Sequence, residues 1–254
     1  MCICFSDVLL RGNRAKKLDP GTVSPFSSPN FPPLAQMGVR ISLQRSLLLP
    51  APRRKFATHK ALYGNISVMV LVPGFDDLAL QSFIATSTRE RPAVLVLMLY
   101  GAGNAPSKKA SFIETLRSGV AQRGAVVVIL SQCLHGTVDM GQYATGNVLR
   151  GLGVIDGHDM TTEAAVTKLA YLLGRGLRGA QLKAAMESNL RGELTLKSTQ
   201  GYTQNEHRSG SGDAVDAPVP CGAAGLDRDG AAVECTRDEA MVAAVEGQKF
   251  NSKL

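Results

Sequence analysis

The sequence contains no tryptophan, few other aromatic residues and no long apolar run, and these absences limit the classes of protein to which it can belong. Its longest uninterrupted apolar stretch, residues 93–100, is far shorter than the ~20 residues needed to cross a bilayer, so we expect no membrane-spanning helix. At the N-terminus no basic region precedes the apolar residues, and Asp7 interrupts them, which does not fit a secretory signal. We therefore expect a cytoplasmic protein.

Cysteines are few, odd in number and irregularly spaced. They are Cys2, Cys4, Cys133, Cys221 and Cys235. They contain no C-x-x-C pair, and no histidine stands at zinc-ligand spacing from them, so we expect reduced thiols and no metal site. Cys133, with His135 two residues on, is a nucleophile candidate. Activation of a thiol needs a positioned base and a group that orients it, and the sequence identifies neither, so a buried or interface thiol is favoured.

Basic residues are concentrated at one end of the chain. Residues 1–60 hold ten Lys/Arg and two Asp/Glu, whereas residues 61–254 hold eighteen and nineteen, within a net charge of +7. No aromatic residues interleave the basic ones for base stacking. A solvated or interdomain surface is favoured over a polyanion site, and we do not expect nucleic acid as a partner.

Composition divides the chain into three zones, which are residues 1–64, 65–195 and 196–254. The first is rich in Pro, Arg and Ser. It opens with one apolar strand and contains a proline-rich stretch, 24–34, predicted to be an ordered loop or an extended connector. The last zone is polar and rich in Gly and Ala, so we expect disorder. Within it, Thr236 three residues before Glu239 permits a capped helix over 236–248.

The middle zone alternates buried strands with amphipathic helices. Continuously apolar, β-branched runs predict strands at 66–72, 93–100 and 125–130. Asp76, Ser107 and Thr161 are predicted to open helices, Gly124 and Gly174 to end two of them, and a further helix is expected at about 178–190. This pattern predicts an α/β fold, a small Rossmann-like parallel sheet covered on both faces.

No motif in this zone defines a reaction. The glycine loop Gly101-Ala102-Gly103-Asn104-Ala105-Pro106 has proline where a dinucleotide fingerprint needs its third glycine, and no acidic residue ends the next strand. No Gly-Lys-Ser/Thr phosphate loop and no Gly-x-Ser-x-Gly elbow is present, so no nucleotide cofactor is expected. His158 and Asp159 are interpreted as part of a turn and helix cap rather than as a catalytic dyad.

Six blocks in order resemble one family. They are LLRGNRAKK (9–17), FSSPNFPPL (26–34), YGAGNAP (100–106), SQCLHGTVDMGQYATGN (131–147), DMTTEAAVTKLAYLL (159–173) and NLRGELT (189–195). The last four resemble the smaller domain of type I, cytoplasmic L-asparaginases. The first two resemble the end of that family's larger N-terminal domain and the linker that leaves it. The resemblance implies a Rossmann-like C-terminal domain preceded by a remnant of the larger α/β domain.

The resemblance also implies an activity. Such enzymes hydrolyse L-asparagine, and in some members L-glutamine, through a threonine nucleophile and without a metal or cofactor. In the family a Thr-Gly-Gly-Thr loop, a Thr-Asp motif and a lysine of the N-terminal domain carry the chemistry. This sequence contains no Thr-Gly-Gly and no Thr-Asp. We therefore expect a C-terminal portion with no catalytic residue of its own, inactive by itself.

The resemblance assigns binding roles to three residues. Asn104 matches the asparagine of the family's Gly-x-Gly-Asn loop, which reaches across the dimer to help bind substrate in the partner's site; a turn residue is its structural alternative. Tyr143 and Thr145 match a loop near the same interface and are weaker candidates. Met98-Leu99 departs from the family, whose members commonly have polar residues there, which puts effector or interface hydrogen bonding at that point in doubt.

Three functions remain open. The first is an L-asparaginase-family amidohydrolase, here a fragment that works in a homo-oligomer once the N-terminal half is present. The second is a catalytically inactive dimerisation or regulatory partner of a complete asparaginase. The third, ranked lowest, is the ammonia-supplying subunit of a tRNA-dependent amidotransferase, which salt-sensitive tRNA binding would favour.

Overall fold

A computed structural model describes residues 1–52, 57–141, 144–196, 225–226 and 232–233. The chain divides into two compact units, Met1–Leu196 and Lys197–Leu254. In the second unit, Gly225–Leu226 and Ala232–Val233 form an antiparallel pair of short strands. The helix predicted over 236–248 lies outside the described residues, as does nearly all of the segment expected to be disordered. Both expectations stay predictions.

The N-terminal segment forms two small antiparallel sheets. Its strands are β1 (Cys2–Phe5), β2 (Val8–Arg11), β3 (Lys16–Lys17), β4 (Phe26–Ser27), β5 (Ala35–Met37) and β6 (Ile41–Leu43). Four of them form a sheet in the order β1-β2-β5-β6, and β3 pairs with β4. The sequence predicted a single opening strand here. Instead, a hairpin turns at Ser6 and Asp7, which have φ values of 46° and 62° and supply the left-handed turn that glycine usually supplies.

The rest of the first unit is a parallel α/β domain. Its elements are β7 (Ile66–Val70), α1 (Asp77–Ala85), β8 (Val94–Leu99), α2 (Ala110–Arg123), β9 (Val126–Ser131), α3 (Ala144–Gly151), β10 (Ile155–Asp156), α4 (Thr162–Gly174) and α5 (Gly179–Glu187). The four strands are parallel throughout, in the order β10-β9-β8-β7. The predicted α/β class is confirmed, and β10 is a short strand that the sequence did not predict.

Helices cover both faces of this sheet, which explains its continuously apolar central strands. Leu95, Leu97 and Ile129 are fully buried in one core cluster with apolar residues of α1, α2 and α3. Consecutive strand order places these three crossover helices on the same face, because such crossovers share one hand. The alternate residues of β8, such as Val94 and Val96, are also fully buried, and α4 contacts this strand.

Most predicted helix boundaries are confirmed. Asp76 accepts a hydrogen bond from Leu78 N at 2.9 Å at the start of α1, and Thr161 accepts one from Ala164 N at 3.1 Å at the start of α4. Gly124 ends α2 in the left-handed conformation, with φ of 69°. The prediction that Ser107 opens α2 was wrong. That helix begins at Ala110, because residues 105–109 form a turn first, in which Ser107 N donates to Ala105 O at 2.7 Å and Lys109 N donates to Pro106 O at 3.0 Å.

Candidate functional site

The loop after β8 holds Asn104 at the carboxyl edge of the parallel sheet, where ligands of α/β domains bind. Asn104 N donates to Tyr100 O at 2.8 Å, and Tyr100 N donates to Asn104 O at 3.0 Å, which closes the turn. The side-chain Oδ1 of Asn104 accepts from Ala105 N at 3.0 Å, so the amide group has a fixed orientation. The residue is exposed. The loop therefore presents one oriented amide at the surface.

Residues 131–141, which follow β9, hold this loop in place. Ser131 Oγ donates to Gly101 O at 2.6 Å, and Asp139 N donates to Ala102 O at 2.9 Å. Gly103 has φ of +119°, and a Cβ there would lie 3.2 Å from Val138 Cγ1, so a larger residue is strained as well as crowded. These two supporting hydrogen bonds were not predicted from the sequence. Only the position of Ser131 at the end of a strand gave an indication of one of them.

The proline-rich stretch from the N-terminal segment reaches the same edge. Asn30 Oδ1 accepts from Gly136 N at 2.8 Å, and its Nδ2 donates to Asp159 O at 3.1 Å. His135 Nδ1 lies 2.9 Å from Pro29 O. The stretch is thus an ordered loop, which was one of the two predicted alternatives. These contacts occupy His135 with a backbone carbonyl, so the structure gives no support for His135 as a base acting on Cys133.

A buried ion pair joins the N-terminal segment to the α/β domain. Both guanidinium Nη atoms of Arg14 lie 3.0 Å from the two carboxylate oxygens of Asp159, and Arg14 is 2% exposed. Arg14 Nη1 also donates to Glu193 O at 2.9 Å, and Thr195 N donates to Asp159 Oδ1 at 2.7 Å. Part of the excess of basic residues in the N-terminal segment therefore lies at its contact with the α/β domain. His158 and Asp159 lie in the turn before α4, and Thr161 caps that helix, as the sequence predicted.

A second buried pair lies beside it. Lys168 Nζ lies 2.6 Å from Glu193 Oε1 and donates to Met186 O at 2.8 Å and Ser188 O at 2.5 Å. Burial alone would raise the pKa of Glu193. The hydrogen bond and charge of Lys168, helped by Leu190 N–H, outweigh that effect and hold this pKa below its ordinary value. The pair thus ties α4 to the NLRGELT segment.

The other predicted site residues are less well placed. Tyr143 lies outside the described residues. Thr145 lies in α3, and only its backbone is described. Cys133 is exposed and free, as are Cys2 and Cys4, so it is not buried within this chain. In the part of the chain that the structure describes, no group of three or more His, Cys, Asp or Glu is arranged to hold a metal, and no helix is long and apolar enough to span a membrane.

Comparison with known proteins agrees with this architecture. The profile of the glutaminase/asparaginase C-terminal domain matches residues 65–186, and that of the N-terminal asparaginase domain matches residues 1–49. L-asparaginase 1 of Escherichia coli is 41% identical over 191 residues, which is 75% of this chain. A 60 kDa lysophospholipase of Mus musculus is 33% identical over 207 residues, which is 81% of this chain.

A solved structure matches as well. L-asparaginase I from Vibrio cholerae superposes with a TM-score of 0.68 at 37% identity over 77% of this chain. The chain spans only part of these proteins: 55% of the E. coli relative, 36% of the mouse relative and 57% of the V. cholerae chain. With both family profiles, the sequence identity and the structural match in agreement, the chain belongs to the glutaminase/asparaginase family, and it is similar to the type I L-asparaginases within it.

Proposed function

We propose that this chain is part of an amidohydrolase that converts L-asparagine and water to L-aspartate and ammonia, with L-glutamine as a second substrate to be tested. The observation that carries the proposal is the Asn104 loop. It is exposed, doubly hydrogen-bonded into a rigid turn and located at the carboxyl edge of the sheet in a member of the asparaginase family. Loops of this kind bind small polar ligands on α/β domains.

The amide of Asn104 suits an amino-acid substrate. An asparagine side chain offers both hydrogen-bond donors and an acceptor, which match the carboxylate and the ammonium group of a free amino acid. Ala105 N–H fixes the rotation of the amide by bonding to its oxygen. The supports from Ser131 and Asp139 keep the loop from moving when substrate arrives. A pre-oriented amide loses little freedom on binding, so Asn104 acts as a substrate-binding residue.

The residues of this sequence do not include the nucleophile. No Thr-Gly-Gly or Thr-Asp occurs in this sequence, so the chain by itself offers no threonine in the setting that the chemistry requires. We therefore place Asn104 at the mouth of a neighbouring subunit's active site, in a homo-oligomer or beside a full-length asparaginase. Tyr143 and Thr145 are further candidates at that mouth.

A second candidate function follows from the same two facts. A chain with an intact Asn104 loop and no threonine motif is suited to be a catalytically inactive partner, which dimerises with a complete asparaginase and completes or regulates its site. In this case the chain binds a full-length homologue and alters its activity without hydrolysing anything itself.

One assay tests both the lack of a nucleophile in this chain and its binding to a full-length asparaginase. Purified chain is incubated with L-asparagine and with L-glutamine, alone and after mixing with a full-length asparaginase from its own cell, and ammonia release is measured. We expect no ammonia from the chain alone, and co-elution with the full-length enzyme on size exclusion. Ammonia release by the pure chain contradicts the assigned lack of a nucleophile, whereas failure to co-elute contradicts the inactive-partner function.

A further inference from the structure

Two arginines converge on one tyrosine at the C-terminal end of α4. Arg191 Cζ lies 4.6 Å from the centroid of the Tyr171 ring, and Arg175 Cζ lies 5.7 Å from it. Arg175 Nη1 donates to the Tyr171 hydroxyl oxygen at 3.1 Å, and the Arg191 guanidinium lies over the face of the ring. The His59 ring meets the tyrosine edge-on at 5.7 Å between centroids. Two cations therefore meet at a single neutral side chain.

Among the described residues, no carboxylate neutralises this positive charge. Over residues 1–52, 57–141 and 144–196, no Asp or Glu lies within ion-pair distance of Arg175 or Arg191. The acid nearest in sequence, Glu193, is 5% exposed and pairs with Lys168. Burial would raise the pKa of Tyr171, but hydrogen bonds and charges from both arginines outweigh it, so this pKa lies below its ordinary value.

Hydrogen bonds to the backbone hold the cluster in place. The backbone N–H of Arg191 donates to Glu193 Oε2 at 2.5 Å, and its carbonyl accepts from Asn13 Nδ2 at 2.9 Å. Tyr171 sits on α4, where Tyr63 of the connecting segment donates its N–H to Ala170 O at 3.0 Å. Arg175 and Arg191 are both exposed. Hydrogen bonds thus fix the backbone of the site, and its two arginines are accessible to solvent.

We infer that Arg175, Arg191 and Tyr171 form a binding site for a small phosphate-bearing anion. Guanidinium groups present paired donors that match phosphate oxygens. The phenol oxygen accepts from Arg175 and still has its own O–H to donate, so a phosphate dianion receives donors from all three side chains. A dianion also supplies negative charge that no described residue supplies to the cluster. The site is separate from Asn104 and does not depend on the proposed function.

Calorimetric titration of the full chain at low salt tests this site, with inorganic phosphate and glycerol phosphate as probes and L-aspartate as a carboxylate comparison. We expect saturable binding of the phosphate probes and weaker binding of aspartate. In Arg175→Gln the affinity is expected to fall about ten-fold or more, since a charged hydrogen-bond donor is lost. Arg117→Gln is the matched control, because Arg117 is an exposed arginine that pairs with Glu114 on α2.

A second measurement follows the tyrosine directly. Ultraviolet titration of the phenols, with Tyr171→Phe to identify the signal, is expected to show a higher Tyr171 pKa when phosphate is bound, because the anion offsets the two arginines. Tighter binding of glycerol phosphate than of phosphate supports an esterified ligand, and equal binding supports free phosphate. No saturable binding of either phosphate probe, equal affinity in Arg175→Gln, or equal binding of aspartate overturns the inference.

Discussion

Replacing Asp159 by asparagine tests the buried ion pair that joins the N-terminal segment to the α/β domain. The pair is bidentate, with two contacts of 3.0 Å, and the two side chains are 2% and 9% exposed. Asparagine keeps one oxygen but places an NH2 group against an Arg14 Nη, so donor faces donor. The guanidinium then stays buried without a counter-charge, and Thr195 N–H keeps an acceptor only if the amide rotates towards it.

The expected cost is large. Removing one partner of a buried pair costs about 3–5 kcal/mol, because the remaining charge stays desolvated. With a urea dependence of about 2–3 kcal/mol per M for a unit of this size, the midpoint of unfolding moves down by about 1–2.5 M. Equilibrium urea unfolding, followed by far-ultraviolet circular dichroism, measures this change. The slope of the transition is expected to stay the same.

Lys16→Gln provides the matched control. Lys16 Nζ lies 3.6 Å from Glu163 Oε1 in a pair whose side chains are 31% and 59% exposed, so its loss is expected to cost less than about 1 kcal/mol. A cost below about 1 kcal/mol for Asp159→Asn, or equal costs for the two variants, would refute the buried, bidentate clamp.

Three further predictions concern stability and solution behaviour. The lowered pKa of Glu193 stabilises the fold above the ordinary glutamate pKa of about 4.3, and this contribution is lost as the pH falls through the lower folded value; acid unfolding of Glu193→Gln should lack that component. A Cβ on Gly157 would lie 2.5 Å from Ile129 O, so Gly157→Ala should lower the melting temperature by several degrees, whereas Gly151→Ala, with open space around it, should leave the temperature unchanged or slightly raised. The N-terminal sheet exposes apolar residues such as Ile41, 71% exposed, so the purified chain should aggregate as its concentration is raised, and a monodisperse size-exclusion peak at high concentration would contradict this expectation.

The sequence predicts the parallel sheet well because each signal there is local. The strands β7, β8 and β9 are continuous apolar runs, and the caps Asp76 and Thr161 bond to N–H groups two and three residues away. Such contacts depend on a few neighbouring residues, so composition and spacing suffice to find them. The Asn104 loop was found through the family resemblance, which identified the residue without giving its surroundings.

The contacts that the sequence could not predict join distant residues. Arg14 and Asp159 are 145 positions apart, and neither carries a local pattern that names the other. The hairpin of β1 and β2 was missed because Ser6 and Asp7, rather than glycine, adopt the left-handed turn. The convergence of Arg175 and Arg191 on Tyr171 likewise depends on how the NLRGELT segment returns to α4. Tertiary packing decides the two sets of arginine contacts, whereas the hairpin is a local feature that lacks the usual glycine signal.

The central claim, that Asn104 serves an asparaginase site in a neighbouring subunit, is tested most directly by subunit complementation. Full-length Escherichia coli L-asparaginase 1, with the residue that aligns with Asn104 replaced by alanine, is mixed and refolded with this chain, and ammonia release from L-asparagine is measured. We expect the native chain to restore hydrolysis. Its Asn104→Ala variant, equally folded and equally co-eluting, is expected not to restore it. Equal rates with both chains would contradict this claim.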